Sequence, residues 1–123
     1  MIHFRVDGAP VPKQSFRYGG HSGYQPRRIT DWQQTVAWAA KAAMIGKDML
    51  TGPLAVTLEF TLPTRRRVDC DNLSKAALDA MNDVVYLDDC QVCDLHVIKR
   101  VGDDAGVTVT VAELTTQAGC GMM

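Results

Sequence analysis

Leu54, Val56, Leu58, Phe60 and Leu62 alternate with Ala55, Thr57, Glu59 and Thr61. That two-residue period predicts a strand with one face buried. Ile2, Phe4 and Val6 alternate with His3, Arg5 and Asp7 in the same way. After Thr30 the period becomes helical: Trp32, Val36, Ala40, Ala43 and Met44 share one face, and Gly46 is a fitting stop. Thr30 with Gln33 three residues later fits a capping box, which predicts a helix over 31–45 with Trp32 as a core anchor. A second apolar stripe, Leu73, Ala76, Ala77, Ala80 and Met81, predicts a helix capped by Asp69 or Asp71 and ending near Asn82. Residues 84–87 read as a short buried extended segment. A strand over 95–101, a hairpin turn over 102–106 and a last strand carrying Val107, Val109, Val111 and Leu114 complete the series.

Strands with two interposed helices predict an α+β domain, a small mixed sheet with two main helices on one face. Residues 1–114 form that domain, and residues 115–123, which carry no pattern, read as a frayed tail. Residues 13–28 hold three glycines, two tyrosines, Phe16 and four basic residues. They read as a long surface loop, either one that lies on a nucleic-acid backbone or one that is simply solvated.

At 123 residues, with 46% hydrophobic and 22% charged content, the chain has the composition of one globular domain. No apolar run approaches the ~20 residues that cross a bilayer, and the N-terminus reads as a strand of a cytoplasmic protein rather than a signal peptide. The net charge of −1 hides a segregation. Residues 1–67 carry a balance of +6 and residues 68–123 a balance of −7. The basic half is free to hold phosphates, and bound cations would offset part of the acidic half. Cys90 and Cys93 have the spacing of half a zinc site, yet no second pair and no suitably spaced histidines accompany them. With Cys70 and Cys120 they read as thiols of a reducing compartment.

Asp69, Asp71, Asp79, Asp88 and Asp89, with Lys75, fall within 21 residues, directly after Arg65-Arg66-Arg67. Carboxylates repel one another, so a fold that gathers them usually does so around a hard cation such as Mg²⁺ or Mn²⁺. Asp71, Lys75 and Asp79 lie four residues apart on one helical face, and Asp88-Asp89 returns after a short turn. An EF-hand is excluded, because the central glycine and closing glutamate are missing. Each residue also has a plain role: Asp69 or Asp71 as caps, Lys75 and Asp79 as a surface pair, Asp88-Asp89 as a solvated turn. Their concentration beside three arginines points to phosphodiester chemistry.

The run Asp69-x-Asp71-Asn72-Leu73-x-Lys75, then Leu78-Asp79-Ala80-Met81-Asn82, then Tyr86-Leu87-Asp88-Asp89-x-Gln91-Val92, strongly resembles the RusA family of Holliday junction resolvases. Gly8-x-Pro10-Val11-Pro12-Lys13 and Arg17 resemble the family's opening, and Met81 replaces a frequent leucine. The resemblance spans roughly residues 2–114. It implies a homodimeric, Mg²⁺-dependent endonuclease, bacterial or phage-encoded, that cuts four-way DNA junctions by paired nicks, with Mn²⁺ a plausible substitute. Carried over by position, Asp69, Asp71 and Asp89 would be metal-binding catalytic carboxylates and Lys75 the catalytic cation. Asp79 and Asp88 would support the ligands from behind. Lys13, Arg17, Arg65, Arg66 and Arg67 would touch DNA phosphates. The helix over 31–45 and the turn over 102–106 are the candidate dimer contacts. A nuclease for other branched DNA, or a junction binder without catalysis, are the rival functions.

Overall fold

The computed structural model describes residues 1–13, 27–65 and 67–114. Its elements are β1 (Ile2–Asp7), α1 (Arg27–Ala43), β2 (Leu54–Leu62), α2 (Cys70–Ala80), a 3₁₀ turn (Asp89–Gln91), β3 (Val92–Val101) and β4 (Gly106–Glu113). The strands form one mixed sheet in the order β1-β4-β2-β3. With its two helices this is the expected α+β arrangement.

β2 lies inside the sheet, antiparallel to β4 and parallel to β3. A parallel neighbour needs a crossover, and α2 supplies it. The register stacks apolar residues across the sheet: Phe60 pairs with Val107, Leu58 with Val109 and Val56 with Val111, and these positions are all fully buried. Trp32, Val36 and Ala40 of α1 and Leu73, Ala76 and Ala77 of α2 belong to the same core cluster. Both helices therefore cover that face. Thr57, Glu59 and Thr61 point the other way and are only partly buried.

Four local expectations change. The α1 helix starts at Arg27, a turn before the predicted cap, because Ile29 is also fully buried and extends the apolar stripe backwards. Thr30 therefore sits inside the first turn and donates to the Arg27 carbonyl at 2.9 Å, while Gln33 donates to the Ala76 carbonyl of α2 at 3.0 Å. No capping box forms there. The residues around 102–106 do not close a hairpin, since β2 lies between β3 and β4. Turn residues report a local bend, whereas the partners of a strand are decided by the rest of the sheet. At Gly106 a Cβ would lie 2.5 Å from the Val6 carbonyl oxygen, so this glycine serves the close approach of β1. The β3 strand starts at Val92, three residues before the predicted position, and takes in Cys93. Residues 84–87 turn rather than extend: Val85 and Tyr86 are buried, but Leu87 is 66% exposed. The expected tail, 115–123, lies outside the described residues, as do residues 14–26 of the expected loop.

Candidate active site

The α2 helix carries the acidic window, and its two ends are built differently. Val68, buried against the core, leads into the helix, and its carbonyl accepts a 2.6 Å hydrogen bond from Lys99 Nζ on β3. Asp69 is the N-cap residue in an extended conformation (φ −76°, ψ 136°), yet its side chain makes no capping hydrogen bond. The Asp69 carboxylate is exposed and left available for another partner. One residue into the helix, Asp71 faces Lys75 at 3.5 Å, and both side chains are exposed. The Ser74 hydroxyl donates to the Asp71 carbonyl at 2.9 Å and fixes that first turn.

At the other end almost every polar group has an assigned partner. Tyr86 is fully buried and donates to the Leu78 carbonyl at 2.8 Å. Burial first, then the negative charges of Asp89, Asp79 and Asp88, hold its phenol far above the usual range. It is a neutral structural donor. Asn82 Oδ1 accepts the Asp89 backbone N–H at 3.0 Å. Gln91 Oε1 accepts from the backbone N–H groups of Leu87 (3.1 Å) and Asp88 (3.3 Å), while its amide donates to the carbonyls of Leu50 and Gly52, both at 3.1 Å. Asp88 Oδ1 accepts from the Cys90 N–H at 3.2 Å and, with Gln91, completes a capping box on the 3₁₀ turn. The turn thereby presents Asp89 on a fixed backbone.

Asp89 is crowded by acid. Burial first, then a hydrogen-bonded contact with Asp88, the charges of Asp79 and Asp88 and a contact with Asp79, hold its carboxyl above the ordinary aspartate range. Lys13 ion-pairs with Asp79, and its backbone N–H donates to the Asn72 carbonyl at 3.0 Å. Lys13 and Asp79 also line a cleft of about 500 Å³ with Thr30, Gln33 and Gln34 of α1.

The structure thus brings Asp79, Asp88 and Asp89 together, and Asp71 to Lys75. Asp71 and Asp79 lie eight residues apart, about 12 Å along the helix axis at its standard rise. Among the described residues no three His, Cys, Asp or Glu side chains converge tightly enough to enclose a metal ion. The acidic row is spread along α2 rather than gathered at one point. Its chemistry nonetheless fits a hard cation, because the donors are all carboxylate oxygens and Asp69 has no competing cap bond. Of the basic positions, Lys13 is committed to Asp79, and Arg65 and Arg67 are exposed with no ion pair among the described residues. Arg17 and Arg66 lie outside those residues. Cys70, Cys90 and Cys93 are free thiols.

Three residues that matter here received no role from the sequence. Asn82 and Gln91 stand in the acidic window's signature, and their amides, spaced around Asp88-Asp89, were the available signal. Lys99 left none, being one lysine on a strand.

The sequence model of a family described as Endodeoxyribonuclease RusA matches residues 7–112. Relatives named crossover junction endodeoxyribonuclease RusA include one from Escherichia coli K12, 34% identical over 110 residues, covering 85% of this chain and 91% of the relative. One from Aquifex aeolicus is 30% identical over 103 residues, covering 81% of each chain. One from Enterobacteria phage 82 is 33% identical, with coverage of 85% and 91%. RusA-type nucleases are metal-dependent endonucleases, and no helix among the described residues is long and apolar enough to cross a membrane. A family match over most of the chain, on the elements that carry the acidic row, leads to one conclusion: the chain belongs to the RusA family of endodeoxyribonucleases.

Proposed function

We propose that this endodeoxyribonuclease resolves four-way DNA junctions by paired, Mg²⁺-dependent hydrolysis, with Asp69, Asp71 and Asp89 as metal ligands. The observation that carries the reading is the row itself: two exposed carboxylates at the start of α2, one of them an N-cap that does not cap, and a third carboxylate crowded by like charge. The Mg²⁺ ion supplies Lewis-acid polarisation of a phosphate and a water of lowered pKa; Mn²⁺, also a hard cation, is a workable substitute.

The chain's own groups do the rest. Asp69 and Asp71 bind from the helix N-terminus, where backbone amides also favour an anionic phosphate. Asp89 binds from its braced turn. Lys75, 3.5 Å from Asp71, is placed to stabilise negative charge developing on the phosphate. Asp79 and Asp88 set the position and charge of Asp89. Arg17, Arg65, Arg66 and Arg67 neutralise backbone phosphates; Lys13 reaches a phosphate only by leaving Asp79. A junction has two equivalent strands to cut, so the working form is a homodimer with two active sites. It acts in the cytoplasm of a bacterial cell, where host and phage DNA lie.

The test compares a mobile four-way junction, a flap and a linear duplex, each with Mg²⁺ or EDTA. Paired cuts on the junction alone, abolished by EDTA, support the proposal. Equal cutting of the flap makes the chain a nuclease for branched DNA generally, and equal cutting of the linear duplex overturns the resolvase reading.

A further inference from the structure

We propose that Lys99 is a positioning residue for the active site, fixing the approach to Asp69 through the Val68 carbonyl. The proposal rests on Asp69 being a metal ligand.

The segment that delivers Asp69 follows Pro63 and contains the triple-arginine run. Nothing in that composition is self-ordering: among the described residues of the segment none before Cys70 lies in a helix or strand, and Arg65 and Arg67 are exposed. Asp69 does not anchor itself either, because its side chain makes no cap bond. Two contacts hold the residue immediately before it. The Val68 side chain is buried in the core, and its carbonyl takes the 2.6 Å hydrogen bond from Lys99 Nζ. Side chain and carbonyl pinned together fix the peptide plane from which Asp69 springs, so the two contacts set where its backbone enters α2 and leave its exposed carboxylate free to turn toward an ion.

Strand register explains why Lys99 can do this. Lys99 pairs with Phe60 across the parallel β2–β3 ladder, and Val97 pairs with Leu58. Lys99 therefore stands on the helix-covered face of the sheet, at its outer edge, in the row occupied elsewhere by Phe60 and Val107. Lys99 as a residue is exposed on this edge strand, and only its hydrogen bond to Val68 is partly buried. A lysine there spans from the sheet edge to the start of α2, with its ammonium in a partly buried, charge-assisted hydrogen bond to a backbone oxygen. Among the described residues it forms no ion pair, unlike its neighbour Arg100, which faces Glu59 on the opposite side of the sheet at 3.5 Å. A cation directed at a main-chain carbonyl is spent on geometry, and the geometry it sets is that of the backbone leading to the first carboxylate.

The experiment uses the full chain with Lys99→Ala, Lys99→Arg and Asp69→Asn. Mn²⁺ binding is measured by calorimetry, backbone hydrogen exchange over residues 65–70, single-turnover cleavage of a mobile four-way junction against Mg²⁺ concentration, and junction affinity in EDTA. Lys99→Ala is expected to weaken Mn²⁺ binding and raise the Mg²⁺ half-saturation by roughly tenfold, the usual scale for residues that orient metal ligands. Exchange over residues 65–70 should quicken, junction affinity in EDTA should stay unchanged, and Lys99→Arg should restore most of the loss. If Lys99→Ala fails to fold, Lys99→Gln, which keeps much of the stem and a neutral donor, is read in its place against the same outcomes. Wild-type metal binding in the Lys99 variant overturns the proposal. So does a loss confined to junction affinity, which would make Lys99 a phosphate contact. Asp69→Asn separates the two levels: an inactive Asp69→Asn beside a normal Lys99→Ala defeats this proposal alone, whereas a fully active Asp69→Asn defeats the ligand assignment and this proposal with it.

Discussion

The two ends of α2 hold their carboxylates in opposite ways. At the Asp88-Asp89 turn, Asn82, Gln91 and the Asp88 carboxylate bond the surrounding backbone, and Tyr86 ties the turn to the last part of the helix. At the start of the helix, Asp69 and Asp71 stand exposed, held by little more than Val68, Lys99 and the first helical turn. One end spends its polar groups on structure, while the other keeps them unspent. A ligand on a fixed backbone can set the geometry of a metal site, and exposed ligands opposite it can adjust to ion and substrate. Substitutions at the two ends should therefore separate: loss of stability at the braced end, loss of activity without loss of stability at the open end.

The largest effect on folding is expected at Gln91. Gln91→Ala removes four hydrogen bonds at once, to Leu87 and Asp88 on one side and to Leu50 and Gly52 on the other, at about 2–3 kcal/mol. For a domain of this size that is a fall of about 6–12 °C in melting temperature, readable by calorimetry. Asp71→Ala at the open end should change stability by no more than about 0.5 kcal/mol, the scale of an exposed i,i+4 pair. Equal losses at Gln91 and Asp71 would break the comparison. Tyr86→Phe follows, with a loss of about 1 kcal/mol, because it removes one buried hydrogen bond, while the Leu78 carbonyl keeps the Met81 N–H at 3.2 Å and the ring stays in place.

A smaller effect of opposite sign is expected at Asp89. Its folded-state pKa is raised, so the folded protein favours the protonated form. That contribution to stability is present at low pH and is lost as pH rises through the raised value. Asp89→Asn imitates the protonated carboxyl. It should raise the melting temperature in EDTA at pH 7–8, with the gain shrinking as the solution is made acid, and a gain that grew toward acid pH would contradict the assignment. The smallest effect concerns the exposed arginines: Arg67→Ala should lower the slope of log junction affinity against log salt by about 1, the mark of one lost phosphate contact, and leave cleavage at saturating protein unchanged.

Much of this architecture was legible because it is written in apolar spacing. The alternation of β2 from Leu54 to Leu62 survives residue for residue as burial, and the stripes of both helices became core. Misreadings arose where a local signal had a non-local answer. Thr30 and Gln33 match a capping box, but the burial of Ile29 carries α1 a turn further back. The glycines at 102 and 106 mark a turn, yet the strands on either side are parted by β2, a consequence of the α2 crossover. At the candidate site the pairing of Asp71 with Lys75 four residues on was legible from helical spacing, whereas the partner of Asp79 is Lys13 rather than Lys75. The division of labour was not legible. Whether Lys13 faces solvent or Asp79 depends on a chain segment far away in sequence. Lys99 is the extreme case, because its role exists only through the parallel register that places it beside Phe60.

The central claim is that carboxylates from both ends of α2 serve one metal-dependent cleavage. Single-turnover cutting of a mobile four-way junction by Asp71→Asn and Asp89→Asn, across a Mg²⁺ titration and beside junction binding in EDTA, tests it most directly. Near-wild-type binding by both variants is expected, with cleavage reduced by roughly a thousandfold in each, the scale of losing a transition-state stabiliser. Cleavage at the wild-type rate by either variant would contradict it.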